Sequence, residues 1–175
     1  MNYATIKWTD IANGEGVRVS LFVSGCTHHC KNCFNEVAWD FNYGEAFTGE
    51  VEDKILEALS SDFIAGLSLL GGEPLEPQNQ EALYPFVKKV RELFPKKTIW
   101  CYTGFVLDEE NGVLKERNKN TPYTSQLIAL FDVLVDGAYM DALKDIRLKF
   151  RGSSNQRVLN VQETLARKEC VLYLE

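Results

Sequence analysis

Short apolar runs alternate with segments of helical periodicity along this chain, and this alternation restricts its possible folds more than any other feature. The strand-like runs are residues 18–23 (RVSLFV), 66–70 (GLSLL), 98–102 (TIWCY) and 132–136 (DVLVD). Helices are predicted between them at residues 50–59, from about 80 to 94, and at 125–130. Strands that are unbroken apolar runs are typical of a parallel sheet covered by helices.

The order of these elements predicts an α/β fold with parallel strands. A closed eight-stranded (β/α) barrel typically needs about 250 residues, and this chain has 175. We therefore expect a partial, open (β/α) barrel that occupies residues 1–175 as a single domain. Residues 109–123 are polar and predicted to form a surface loop, and the tail is predicted to hold a loop, a short helix and a late strand at 170–174.

Composition and charge narrow the function classes. Hydrophobic residues make up 45% and charged residues 25% of the chain, as in ordinary globular proteins. The formal net charge is −6, and no basic patch of the kind that grips phosphate backbones is evident. The sequence shows neither a secretory signal nor an apolar run of membrane-spanning length. We expect a cytoplasmic protein, in which cysteines stay reduced.

Three of the five cysteines lie within the eight residues CTHHCKNC, as Cys26, Cys30 and Cys33. In a reducing compartment such clustering favours metal or redox chemistry over disulfides. Closely spaced thiolates hold iron–sulfur clusters. Three thiolates leave one iron of a four-iron cluster without a protein ligand, and an open iron is a place where a substrate can bind.

Other interpretations of this loop remain open at this point. A structural zinc site would need a fourth ligand, which could come from His28, His29, Cys101 or Cys170. A thioredoxin-type pair of Cys30 and Cys33 would leave Cys26 unused, and the clustering disfavours incidental buried cysteines. The cysteines alone do not decide between iron–sulfur and zinc.

A glycine pair followed by a glutamate, Gly71-Gly72-Glu73, stands where the second apolar run ends. Two residues without side chains allow a ligand to approach the backbone closely, although a tight turn explains the pair equally well when it is taken alone. Together with the preceding cysteine loop, the pattern resembles the radical S-adenosylmethionine (SAM) superfamily. That resemblance implies that the cysteines hold a 4Fe–4S cluster and that Gly71, Gly72 and Glu73 line the SAM methionyl group.

A longer series of segments narrows the resemblance. The segments are NGEGVR (13–18), LFVSGCTHHCKNCFN (21–35), FTGE (47–50), GGEPLEPQN (71–79), IWCYTGF (99–105), VLVDG (133–137) and RGSSNQR (151–157). In this order they resemble the activating proteins of anaerobic (class III) ribonucleotide reductases, and RGSSNQ points to that family over other activases. The resemblance implies an oxidoreductase that cleaves SAM reductively and forms a glycyl radical on the reductase large subunit, with flavodoxin or a similar protein as reductant. The rival functions are an activase of another glycyl-radical enzyme and a non-catalytic zinc-binding module.

Further site residues are expected from the resemblance and from position. Many radical SAM enzymes place an aromatic residue before the third cysteine. Here Asn32 precedes Cys33 and Phe34 follows it, so the segment from Asn32 to Phe34 is expected to pack on the adenine. Thr103 and Asp136 follow strands and are expected to contact SAM, although each equally fits a structural cap.

The remaining expectations concern contacts with SAM and the partner protein, and the two other cysteines. The arginines expected to pair with the SAM carboxylate or the reductase glycyl loop are Arg18, Arg151 and Arg157, and ordinary surface arginines are an equally good interpretation. Asn155 is expected to bond the inserted peptide. No catalytic acid, base or nucleophile is expected, because the radical forms at the cluster. Cys101 is expected to be a buried filler, and Cys170 has no assigned role.

Overall fold

A single eight-stranded sheet organises the chain, whose computed structural model describes residues 1–33 and 35–174. The strands are β1 Asn2–Asp10, β2 Val17–Val23, β3 Glu45–Ala46, β4 Ile64–Gly71, β5 Thr98–Tyr102, β6 Leu107–Asp108, β7 Val113–Leu114, β8 Val133–Asp136, β9 Arg157–Asn160 and β10 Leu172–Leu174. The helices are α1 Gly49–Leu59, α2 Pro77–Leu93, α3 Thr124–Ile128 and α4 Val161–Arg167. Short 3-10 helices span Glu36–Trp39, Arg117–Lys119 and Asp141–Leu143.

The centre of the sheet is parallel and both of its edges are antiparallel. Its strand order is β10-β9-β8-β5-β4-β2-β1-β3. The four central strands, β2, β4, β5 and β8, run parallel, whereas β1, β3, β9 and β10 pair antiparallel. The α/β class and the parallel strands are thus confirmed. The antiparallel edges were not predicted, and the partial barrel stays a prediction for this open sheet.

The helices begin where local chemistry favours them. Thr48 caps α1 by accepting from the backbone N–H of Val51 at 3.4 Å. Pro77 occupies the first turn of α2, where its missing N–H costs nothing. The sequence prediction started α2 three residues later, because buried Asn79 and Gln80 interrupt its apolar pattern. None of the helices in the described residues has the length and apolarity to cross a membrane.

Alternate side chains of the central strands enter the main core, which lies against the helices. Leu67 and Leu69 of β4 belong to the same buried cluster as Leu83 and Phe86 of α2. Cys101 is also completely buried in this cluster, as expected of a filler. The opposite strand faces carry polar and aromatic residues, because successive side chains of a strand point to opposite sides.

The carboxyl ends of the parallel strands lie side by side at one end of these strands. Val23 of β2 pairs with Gly71 of β4, and Tyr102 of β5 pairs with Val135 of β8. The segments that follow these strands therefore begin side by side, and one of them is the cysteine loop.

Candidate functional site

A cavity of about 200 Å³ lies at the carboxyl ends of the parallel strands. Several of the expected site residues line it, namely Cys26, Cys30, Cys33, Gly71, Gly72, Glu73 and Thr103. Further lining residues come from the segments after β5 and β8 and from the loop before β9, among them Gly104, Gly137, Tyr139 and Gln156. The structure thus brings four chain segments together around the three cysteines.

The three loop thiols differ in burial. Cys26 is buried, and burial raises the pKa of its thiol to about 11 against the opposing effect of backbone hydrogen bonds. Burial and then the charge of Cys33 raise the pKa of Cys30, while a backbone hydrogen bond from Tyr139 opposes the increase. All five cysteines are free thiols. Metal binding would release protons from such thiols, because the thiolate is the ligand.

The donor set fits an iron–sulfur cluster in chemistry and in placement. Cys26, Cys30 and Cys33 line the same cavity, whereas Cys101 and Cys170 do not. Within the part of the chain that the structure describes, no three His, Cys, Asp or Glu side chains are close enough together to hold a metal ion. Each thiol of a 4Fe–4S cluster binds a different iron, so the cluster needs the three thiols around one cavity and not at one metal position.

The backbone of the cysteine loop is attached to the 3-10 helix that follows it. The N–H of Gly25 donates to Ala38 O at 2.7 Å, and that of Cys26 donates to Trp39 O at 3.2 Å. The imidazole of His29 stacks on Trp39 with ring centroids 4.2 Å apart. The two backbone hydrogen bonds attach the start of the loop to this helix.

Within the segment from Asn32 to Phe34, which is expected to pack on the adenine, Cys33 lines the cavity. Asn32 is exposed, does not line the cavity, and donates to Asp141 Oδ2 at 3.1 Å. Its backbone φ of 58° lies in the left-handed region, which asparagine tolerates. Phe34 lies outside the described residues.

Glu73 is buried, and its carboxylate has four partners. One oxygen accepts from the N–H of Gly104 at 2.7 Å and contacts His28 Nε2 at 2.7 Å. The other accepts from Leu75 N and from Thr103 Oγ1, both at 2.8 Å. The side chains of Glu73 and Thr103, both expected to contact SAM, are therefore hydrogen-bonded to each other.

His28 lies between the first two cysteines of the loop and reaches the ends of β4 and β5. Its ring centroid is 4.4 Å from that of Phe105. Burial lowers its pKa, but the hydrogen bond and charge of Glu73, with two further glutamates, outweigh burial and raise the pKa above its usual value. The zinc interpretation had offered His28 as a fourth ligand, whereas the structure directs Nε2 to a carboxylate.

A second buried glutamate holds the residue next to His28. Glu76 Oε1 accepts from Thr27 Oγ1 at 2.8 Å and forms an ion pair with Lys119 at 3.2 Å. The same ammonium also donates to Thr27 and lies 5.8 Å from the ring centroid of Phe105. Both glutamates of GGEPLE thus contact the cysteine loop.

The glycine pair allows close packing of the chain on itself. A Cβ at Gly72 would lie 2.7 Å from Gly25 O and 2.9 Å from Ala38 O, and one at Gly71 would lie 2.6 Å from Val23 N. Gly71 also has a φ of 109°, which side chains rarely adopt. Tight packing against the cysteine loop therefore accounts for the missing side chains.

Asp136, which is buried, forms an ion pair with the partly exposed Arg157. Arg157 Nε donates to Asp136 Oδ1 at 2.9 Å and its Nη2 donates to Oδ2 at 2.6 Å. The backbone N–H of Leu107 donates a third hydrogen bond to Asp136. Arg157 also donates to the carboxylate of Glu109. Neither expected residue lines the cavity. The expected contacts of Asp136 with SAM and of Arg157 with SAM or the reductase stay predictions, and the structure shows both side chains bound to each other.

Arg18 is buried at the opposite end of the sheet. It follows the first residue of β2, and its donors reach Ser68, Leu67 and Thr98 within the chain. Its ring neighbour is Trp100, 5.5 Å from the guanidinium carbon. This position corrects the expectation that Arg18 contacts SAM or the reductase.

Arg151 and Asn155, which are expected to contact the reductase, lie in the loop that precedes β9. Arg151 donates to the backbone O of Gln156, and Asn155 donates to Ala138 O at 2.7 Å. Asn155 is exposed, and Gln156 lines the cavity while its amide donates to Gly137 O at 3.0 Å.

Sequence reasoning missed several cavity residues. The strand-end rule places Gly104 beside Thr103 at this rim, although the prediction assigned it no role. Gln156 lies within RGSSNQ, where the sequence prediction named Arg151 and Asn155 as site residues instead. Trp39 and Tyr139 carry no comparable signal, because only the packing of their segments brings them to the cavity.

Comparison with known proteins gives a consistent family assignment. The model of the family described as "4Fe-4S single cluster domain" matches residues 12–159. An anaerobic ribonucleoside-triphosphate reductase-activating protein of Haemophilus influenzae is 44% identical over 158 residues, which is 89% of this chain and 96% of the relative. The Escherichia coli K12 protein of the same name is 43% identical, with 90% and 97% covered. The protein of that name from Enterobacteria phage T4 is 38% identical, with 90% and 93% covered.

Proposed function

Because this chain belongs to the family of anaerobic ribonucleoside-triphosphate reductase-activating proteins and contains a 4Fe–4S single cluster domain, we propose that it forms a glycyl radical on such a reductase. The reaction is reductive cleavage of SAM. The observation that carries this proposal is the convergence of Cys26, Cys30 and Cys33 on one cavity with the Gly71–Gly72–Glu73 segment.

Cys26, Cys30 and Cys33 are the proposed cluster ligands, and the fourth iron is left for SAM. A cluster held there would supply the electron, delivered by a flavodoxin-like reductant, that cleaves the C5′–S bond of SAM into methionine and a 5′-deoxyadenosyl radical, and a glycine Cα of the reductase would give that radical a hydrogen atom. No general acid or base would be needed, because the radical would form at the cluster.

This chain's residues position the cosubstrate and exclude water. The backbones of Gly71, Gly72 and Gly104 line the cavity without side chains, so SAM can approach them closely. Leu70 and Val135 supply apolar wall, which keeps water from a reactive primary radical. We also propose a radical SAM-type open barrel, with the Asn32–Phe34 segment next to the adenine.

The rim offers a place for the reductase. Arg151 and Asn155 lie in the loop that reaches the cavity through Gln156, so we keep them as contacts to the reductase glycyl loop. Arg18 is buried, and the partly exposed side chain of Arg157 is bound to Asp136, so the proposed interface does not rely on either residue. We place the reaction in the cytoplasm, where the thiols stay reduced.

The function is tested with anaerobically reconstituted, reduced protein and the purified reductase. We expect 5′-deoxyadenosine and methionine to form and a glycyl radical signal to appear in the electron paramagnetic resonance (EPR) spectrum of the reductase. Cys30→Ser should abolish both, whereas Cys170→Ser, which removes an exposed thiol outside the cavity, should retain both.

Three results would contradict the proposal. One is the absence of 5′-deoxyadenosine with and without the reductase. Another is a radical on a different glycyl-radical enzyme only, which would indicate the rival activase. A colourless protein that binds zinc and no iron would indicate the binding module.

A further inference from the structure

The cysteine loop is anchored at two consecutive side chains that stand between Cys26 and Cys30. Thr27 donates to Glu76 at 2.8 Å, and His28 Nε2 lies 2.7 Å from Glu73 Oε1. Each glutamate is 1% exposed. The loop is therefore bound to two carboxylates that the fold keeps away from solvent.

Glu73 is a rigid base for this attachment. Three of its four partners, Leu75 N, Thr103 Oγ1 and Gly104 N, belong to the segments after β4 and β5. His28 is the one partner from the cysteine loop. Three short hydrogen bonds fix the position of the Glu73 carboxylate. The carboxylate therefore fixes the position of its fourth partner, His28.

The imidazole of His28 also occupies a slot that only glycine leaves open. A Cβ at Gly104 would lie 2.6 Å from His28 Nε2 and 2.8 Å from two ring carbons. Phe105 covers the ring at a centroid distance of 4.4 Å. The ring is therefore confined to one place in the fold, where its Nε2 meets Glu73.

We propose that His28 is a positioning residue, which holds Cys26 and Cys30 toward the cavity through its hydrogen bond to Glu73. The Glu73 side chain is then an anchor of the loop rather than a group that touches SAM. This inference rests on the proposed function insofar as the loop thiols are the cluster ligands.

Two substitutions separate the hydrogen bond from the packing of the ring. His28→Gln keeps an N–H donor at a similar reach and removes the ring. His28→Phe keeps an aromatic ring against Phe105 and removes the donor. His29→Asn is the matched control, because His29 stacks on Trp39 and asparagine tolerates its left-handed backbone.

The first readout is the alkylation rate of each cysteine in the metal-free protein, measured by mass spectrometry. Loss of a hydrogen bond to a charged group opens the loop, so Cys26 should react about tenfold faster or more in His28→Phe. Cys26 should keep its wild-type rate in His28→Gln and His29→Asn. Exposed Cys170 should react equally in all proteins, and fully buried Cys101 should stay protected, which excludes general unfolding.

The second readout is SAM binding and the EPR spectrum of the reduced cluster in reconstituted protein. His28→Phe should weaken SAM binding about tenfold and change the spectrum, while His28→Gln restores both. The double variant His28→Phe with Glu73→Gln should bind SAM as well as the weaker-binding of the two single variants, because both changes remove the same His28–Glu73 hydrogen bond.

Several outcomes would overturn this inference. His28→Phe with wild-type Cys26 reactivity and SAM affinity would do so, as would His28→Gln behaving like His28→Phe while Cys101 stays protected. Additive losses in the double variant would show that Glu73 contacts SAM directly. Wild-type protein that takes up no iron or binds no SAM would instead refute the proposed function, whatever the alkylation data show.

Discussion

Asp136 ends β8 with a carboxylate that is 1% exposed and bonded at both oxygens by Arg157. The Arg157 side chain is 25% exposed, and its hydrogen bonds to Asp136 come first among the causes that raise its pKa. Removal of one partner from a buried pair leaves a charge without compensation, which is costly in a medium of low dielectric constant.

We therefore expect Arg157→Met to lower the free energy of unfolding by roughly 2–3 kcal/mol, because partial exposure reduces the penalty of a fully buried pair. Urea denaturation of the metal-free protein measures the loss. Arg147→Met is the matched control, since Arg147 pairs with Asp145 at the exposed surface and its loss should change stability little. Equal stability of the two variants would contradict the structural role of Arg157.

Residues with the same sequence signal play different parts in this site. Thr103 and Asp136 were both expected at the cavity because both follow parallel strands. Thr103 lines it, but Asp136 pairs with the residue opposite it in β9. The short strand β9 was not predicted, so the partner of Asp136 could not be foreseen from local pattern.

At the scale of elements, the glycine pair after β4 and the cysteine loop after β2 form one packed unit. Gly72 N donates to Val23 O at 2.8 Å, and Glu73 N donates to Gly25 O at 2.7 Å. The three-cysteine spacing and the glycine pair were both visible in the sequence. Their mutual contact was not, because it depends on the register of two parallel strands.

Gly72→Ala should disturb this unit, because its Cβ would meet backbone atoms of Gly25 and Ala38 that cannot rotate away. We expect a loss of roughly 1–3 kcal/mol in unfolding free energy, typical of overpacking, and reduced iron uptake on reconstitution. Gly49→Ala is the control, since a Cβ there meets nothing within 4 Å. Wild-type iron uptake by Gly72→Ala would show that the loop does not need this close approach.

At the scale of the whole molecule, the apolar strands of the sheet centre were the predictable part. The runs at β2, β4, β5 and β8 are buried on both sides, and burial on both sides produces the unbroken apolar pattern. The antiparallel strands β1, β3 and β9 escaped prediction, because β3 has two residues, β9 has four, and β1 has a single buried residue. Tertiary pairing, rather than local pattern, makes these segments strands.

The proposed function accounts for a site that is assembled from distant segments. A cluster held by three thiolates would need a loop for the metal and strand ends for the cosubstrate. The cysteine loop and the ends of β4 and β5 lie side by side in this sheet, and the buried glutamates after β4 connect them.

The measurement that tests this account most directly is Mössbauer spectroscopy of iron-57-loaded protein with and without SAM. The account predicts that one iron of the 4Fe–4S cluster changes its isomer shift and quadrupole splitting when SAM is added, while the other irons keep theirs. A spectrum that does not respond to SAM, or one in which all the irons change together, would contradict a cluster held by Cys26, Cys30 and Cys33 with one site reserved for the cosubstrate.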